Sequence, residues 1–277
     1  MASPQHEFET GQQAEIEQRE PLEPRAGLWG DIRDELRWTW AGRKGWLVGM
    51  LGNLVFATGY LLVTNYDPHM SDDIKVANVG LAVVLWCLAD PINTNQLGSD
   101  SERVVNSLNA GDSVARILAI KNIALAVLLI PLALVISAIH WLLAGRWHLV
   151  AHTVVADLGA VFLWMGVGSV VSVLLPYPPI RIRSRVRAIL ARRSLVRYAA
   201  CLAAPYVLWL GIVKVLHIPW NEIWDHQLLG SRVADLPKYA LVYLGISLIY
   251  WVIGLSLAEL YDRRFPGRLI RDLEREV

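Results

Sequence analysis

The sequence predicts an all-α, polytopic membrane protein with six transmembrane helices, an N-terminal amphipathic interfacial helix, and both termini in the cytoplasm. Three observations carry that prediction. The 277 residues are 55% hydrophobic and include 12 Trp, with a mean hydropathy of +0.38, which is too apolar for a soluble domain of this length. Six apolar segments, at about 46–64, 76–92, 122–143, 150–175, 198–217 and 239–261, each approach the roughly 20 residues that a bilayer core requires. Finally, 21 of the 26 Lys and Arg fall on one side of the alternation that these segments impose, and the positive-inside rule makes that side cytoplasmic.

Taken in order, residues 1–26 are polar, acidic and proline-containing, and read as a disordered cytoplasmic tail rather than a signal or transit peptide. Over 27–45, Leu28, Ile32, Leu36 and Trp40 recur every fourth residue with Trp29 beside them, while Asp31, Arg33, Asp34, Glu35 and Arg37 fall off that face. This pattern predicts a helix lying flat at the interface; its acidic residues argue against anionic lipid as its partner, and packing against protein fits the pattern equally. The first apolar segment carries Gly45, Gly49, Gly52 and Gly59 along one stripe, a spacing that lets two helices approach closely, within a subunit or between two. The second is short and ends at Asp90 and Pro91, and the third contains Pro131, where a kink is expected.

Between the second and third segments lies the most patterned connection, residues 95–121. Asp100 and Ser101 are candidate N-caps of a short helix over 100–110. Its apolar face is Val104, Val105 and Leu108, with Glu102, Arg103 and Asn106 opposite. Gly111 breaks that helix, and Asp112 or Ser113 caps the next, which runs into the membrane without interruption. A short amphipathic helix at the base of a membrane helix suits receipt of force from a soluble partner; the alternative is a helix that merely lies at the headgroups.

The rest of the chain holds few candidate groups. Asp157 sits well inside the fourth segment, roughly 10 Å from its outer end at ~1.5 Å per residue. A charge at that depth needs a partner, a proton or water, and Lys214 or His152 is the candidate partner. It reads either as part of a translocation path or as half of a structural pair. His140, His148 and His152 have no carboxylate or Cys to complete a ligand set, and Gly166, Val167, Gly168 and Ser169 read as small residues for close helix packing. Trp220, Ile223, Trp224 and Leu228 share a helical face in the outer loop before the last segment, either a helix dipping into the membrane or an aromatic anchor. Residues 263–277 form a charged cytoplasmic tail.

Several functions are disfavoured. A net charge of +1 gives no field for nucleic acid. Cys87 and Cys201 lie in apolar segments without metal or redox spacing, so neither a disulfide, a metal nor a cofactor is expected. There is no GxxxxGK[ST] loop, so any ATP is bound by another polypeptide.

The order of residues in the 95–122 stretch resembles the permease subunits of ABC-2-type exporters, in which a run like NxFGxDGxGL…SPxSRREILLGKN follows the second membrane helix. Asn95, Gly98, Asp100, Leu108, Ser113, Arg116, Ile117, Leu118, Lys121 and Asn122 match it. Gln96 and Leu97 stand where an aromatic usually precedes the Gly, and Gly111 and Asp112 replace the usual Pro. The resemblance implies a transmembrane permease subunit with no enzymatic activity of its own, in a plasma membrane such as the bacterial inner membrane. It would move an unidentified substrate outward with a second permease, identical or similar, and two separate ATP-binding cassette subunits. Asp100, Arg103, Val104, Leu108, Ser113, Arg116 and Lys121 would then couple the chain to its ATPase, with Val104 and Leu108 inserted into a groove of that partner. The alternatives are a membrane-embedded enzyme acting on lipid or glycan, for which Asp67, Asp72 and Asp73 form the nearest acidic cluster, and a non-transporting scaffold.

Overall fold

A long apolar run in a membrane has to satisfy every backbone amide and carbonyl within itself, and a continuous helix does that. The computed structural model describes residues 27–41, 55, 95–144, 150–176, 203, 207–208, 211 and 236–274, and these contain helices and turns but no strand. We number the helices α1 (Leu28–Ala41), α2 (Ser101–Asn109), α3 (Val114–Ala144), α4 (Val150–Leu174), α5 (Leu236–Arg264) and α6 (Arg268–Glu274); a single 3-10 turn, Gly98–Asp100, leads into α2.

Helices α3, α4 and α5 each contain a stretch long and apolar enough to cross a membrane, at Val114–Pro131, Asp157–Leu174 and Leu241–Arg264. They correspond to the third, fourth and sixth predicted segments. Pro131 lies inside α3, which continues through it to Ala144. At 31 residues and ~1.5 Å per residue α3 is roughly 46 Å long, more than the ~30 Å of a hydrocarbon core, so an end of it projects into the headgroups or beyond. The first, second and fifth segments, the glycine stripe of Gly45, Gly49, Gly52 and Gly59, Lys214, the arginine-rich 181–197, the Trp-rich outer loop and the N-terminal tail lie outside the described residues, apart from isolated helical positions such as Val55 and Leu208.

Among the described apolar helices α4 is the most enclosed. Of its apolar stretch 78% is buried inside the chain, against 22% for that of α5. The two cross on glycine: a Cβ on Gly254 would sit 2.4 Å from the carbonyl oxygen of Gly166, and one on Gly166 would meet the Tyr250 carbonyl at 2.7 Å. Backbone meets backbone there, which supports the packing role predicted for the small residues around Gly166. Two turns away along α4, Gly159 makes room for the ring of Tyr243. The outer face of α5 keeps Leu241, Val242, Ile249, Val252, Leu257 and Leu260 exposed, the pattern of a helix turned toward lipid or another membrane helix.

Two clusters of buried side chains lie among the described residues. One lies between α3 and α4, around Ala126, Leu129, Val161, Trp164 and Met165. The other lies at the loop end and joins α2, the start of α3, Val173 of α4, Ala258 of α5 and both leucines of α6. The tail from 263 onward is therefore not a plain charged extension. After a turn at Gly267, whose φ is +71°, α6 folds back and buries Leu269 and Leu273 completely.

Candidate functional site

The connection 95–122 is built from its own short-range chemistry. The Asp100 amide donates to the Leu97 carbonyl at 3.4 Å, which closes the 3-10 turn, and Ser99 braces it, its amide donating to the Asn95 carbonyl and its hydroxyl to the Gln96 carbonyl, both at 3.0 Å. α2 follows and stops where Gly111 adopts φ +86°, a left-handed conformation that favours glycine. The Ala110 and Gly111 amides donate back to the carbonyls of Asn106 (3.0 Å) and Leu108 (2.9 Å). Of the two predicted caps for α3, Ser113 does the work, its hydroxyl accepting the Arg116 amide at 3.2 Å. A second cap comes from across the fold, where Glu259 of α5 accepts the Ala115 amide at 3.1 Å. Two free amides of the helix end are thereby satisfied.

Asp100 occupies the N-cap position of α2 but makes no side-chain cap there. Its carboxylate is drawn away by cations, accepting from Lys121 Nζ at 3.1 Å and from Arg103 Nη1 at 3.1 Å. Lys121 also donates to Glu35 Oε1 at 2.8 Å, and Arg103 to Glu35 Oε2 at 3.1 Å. Two carboxylates and two cations thus alternate in a closed, formally neutral set. Lys121, Asp100 and Glu35 are buried, and only Arg103 reaches solvent appreciably. The ring of Trp38 lies under both cations, 4.8 Å from Arg103 Cζ and 5.3 Å from Lys121 Nζ, close enough for cation–π attraction. Burial pushes the Asp100 carboxyl above the ordinary aspartate range, against the lowering pull of Lys121 and Arg103.

A second bridge lies outside this set: Arg116 holds Asp31 of α1 and, at 2.5 Å, Asp112 of its own loop. A third, neutral set ties the loop to α4. Asn122, fully buried, accepts from Gln96 Nε2 at 2.7 Å and donates to the Ser169 hydroxyl at 3.0 Å. Ser169 donates onward to the Met165 carbonyl at 2.8 Å, and the Gln96 amide donates to the Ser172 hydroxyl at 2.9 Å.

The motif residues Asn95, Gly98, Asp100, Lys121 and Asn122 are therefore all buried, converging on the base of α3. Helix α1 packs against protein through its acidic side. Asp31, Glu35 and Trp38, at i, i+4 and i+7, form the strip that meets the loop, with Ile32 buried beside them. Trp29 and Trp40 stay 78% and 67% exposed on a neighbouring strip, and the Asp34–Arg37 pair at 3.7 Å faces water. Glu35 and Trp38 were not identified from sequence. The available signal was the i, i+4 spacing of Asp31 and Glu35, two acids on one face.

The apolar face of α2 departs from expectation. Val104 is 1% exposed, and Val105 and Leu108 pack on the cluster that holds Leu269 and Leu273. That face is covered by the chain itself, because α6 offers two leucines at i and i+4. The edge of α2 and its following turn that remains open is Glu102, Asn106, Asn109, Ala110, Gly111 and Ser113.

Within the membrane stretch, Asp157 is 2% exposed where α4 meets α5, close to the buried Tyr243. Its predicted partner Lys214 and the side chain of His152 lie outside the described residues. Among the described residues no group of three or more His, Cys, Asp or Glu is placed to hold a metal. Comparison with family models, with curated proteins and with solved structures finds no match.

Proposed function

We propose that this chain is the permease subunit of an exporter of the ABC-2 type, with six spans and both termini cytoplasmic, moving a substrate outward under the power of a separate ATP-binding subunit. The observation that carries the reading is the way the motif residues join loop to span. Asp100, Arg103 and Lys121 lock α2 against α1 and the first turns of α3, while α3 runs unbroken from Val114 to Ala144. A push on α2 therefore reaches the membrane through a rigid lever rather than through a hinge. Closure of the ATPase dimer biases the bundle between two states; the permease performs no chemistry itself.

The contact with the ATPase is assigned to the open edge of α2 and the turn after it, not to Val104 and Leu108, which are occupied within the chain. Glu102, Asn106 and Asn109 present that edge. Asn106→Arg with Asn109→Arg would place two bulky cations at the contact and leave every buried group untouched. Co-isolation of an ATP-binding cassette subunit from native membranes, and ATP hydrolysis that depends on the permease, are then lost while the permease still inserts and melts normally. Retention of both activities by the double variant would remove the basis of the exporter reading.

A further inference from the structure

We propose that α6 is a releasable cap on α2, so that the cytoplasmic loop exists in a capped state, with Val104, Val105 and Leu108 hidden, and an uncapped state that presents them as an apolar strip. The proposal stands whether or not the partner is an ATPase, since it concerns only the chain's own contact.

Four features separate this contact from ordinary core. α6 has seven residues, too few for a helix to persist without its docking surface, so undocking and unwinding are one event. Its buried side chains are Leu269 and Leu273 alone, and aliphatic contacts impose little directional demand on release. It hangs on α5 through an exposed hinge, with Phe265 43% exposed and Gly267 at φ +71°. The cation of Arg268 is engaged locally, 6.0 Å and 5.7 Å from the ring centroids of Tyr261 and Phe265 on the hinge side. The surface under the cap, by contrast, belongs to a helix whose other flank is held by buried ion pairs. Losing the cap therefore exposes α2 without dislodging it. Short elements with few buried contacts are those that open well below global unfolding.

The test uses the full chain in lipid nanodiscs with Cys87→Ala and Cys201→Ala, and Val104→Cys as a single reporter thiol. Labelling by a soluble maleimide is slow in this background. Leu269→Asp with Leu273→Asp accelerates it by about tenfold or more, and Gly267→Val, which strains the hinge but leaves both leucines, accelerates it by a smaller factor. The cooperative melt of the membrane helices is retained in both variants. Unchanged labelling in the Leu269 and Leu273 double variant would show that α6 is not the cover. Acceleration accompanied by loss of the cooperative melt would show that α6 is an integral part of the fold, and would equally overturn the proposal.

Discussion

The two flanks of α2 are held by opposite kinds of chemistry. Toward α1 the contact is charged and aromatic: Glu35, Asp100, Arg103 and Lys121 around Trp38. Toward α6 it is aliphatic, Val104, Val105 and Leu108 against Leu269 and Leu273. Buried ion pairs cost nearly as much to desolvate as they return, so the charged flank adds little net stability but fixes one register, and fails abruptly when one member is lost. The aliphatic flank has no preferred direction and weakens in proportion to the area removed. One side of the helix is thus keyed and the other merely greased, which suits an element that must keep its angle while its cover comes and goes.

The largest expected effect is on the keyed flank. Lys121→Met leaves Glu35 and Asp100 buried with only the half-exposed Arg103 between them, and lowers stability by about 3–5 kcal/mol, read as the shift of the melting transition in detergent. Glu35→Gln in that background restores a one-to-one set, Asp100 with Arg103, and recovers a large part of the loss. Additive damage in this double-mutant cycle would show that Lys121 and Glu35 are not coupled and that the charged flank is not keyed as described.

Next comes the aliphatic flank. Leu273→Ala removes buried methyl groups worth about 2–5 kcal/mol in a rigid core, but here the loss is local. Amide exchange in α6 and α2 accelerates, while the melt of α3, α4 and α5 moves by much less. If global melting falls as far as it does for Lys121→Met, the aliphatic contact is core, and the comparison fails.

Salt should separate the flanks with a smaller effect. Arg116 is held to Asp31 and Asp112 in partly exposed surroundings, so Arg116→Ala costs about 0–1 kcal/mol. That cost shrinks further at 1 M salt, where the screening length is only about 3 Å. The cost of Leu273→Ala does not shrink under the same conditions.

The smallest effect concerns pH. Burial raises the Asp100 carboxyl above its ordinary value of 3.8, so its favourable contribution is full below that value and declines as pH rises through the raised one. Asp100→Asn is therefore the substitution in the lock whose cost depends on pH. Its stability relative to the parent should improve as pH climbs from about 4 toward neutrality. A relative stability that worsens over that interval would mean that attraction to Lys121 and Arg103 outweighs burial, and would reverse the sign.

Much of this arrangement was legible in the residues. The third, fourth and sixth apolar segments end within a few positions of α3, α4 and α5, because length and hydropathy are local quantities that no neighbour can alter. Gly111 marked the end of α2 and Ser113 the start of α3 for the same reason: a backbone angle and a hydroxyl three residues from an amide are properties of the segment. The resemblance also singled out Asp100, Lys121 and Asn122, though not what they bind.

What the sequence by itself determined, within the described residues, was which stretches become helix, where they break, and that α3, α4 and α5 are apolar enough for a membrane. Only the tertiary structure decided which way the amphipathic pieces face. Leu28, Ile32, Leu36 and Trp40, with Trp29, form the apolar face that the pattern shows; of these Ile32 is buried, and Asp31, Glu35 and Trp38 turn inward beside it because Arg103, Arg116 and Lys121 are waiting there. A carboxylate near a cation reverses the usual sorting of polar from apolar, and that proximity spans some 86 residues of chain. The apolar face of α2 was likewise correctly drawn but assigned to a partner, since nothing local reveals that two leucines from the other end of the chain already fill it.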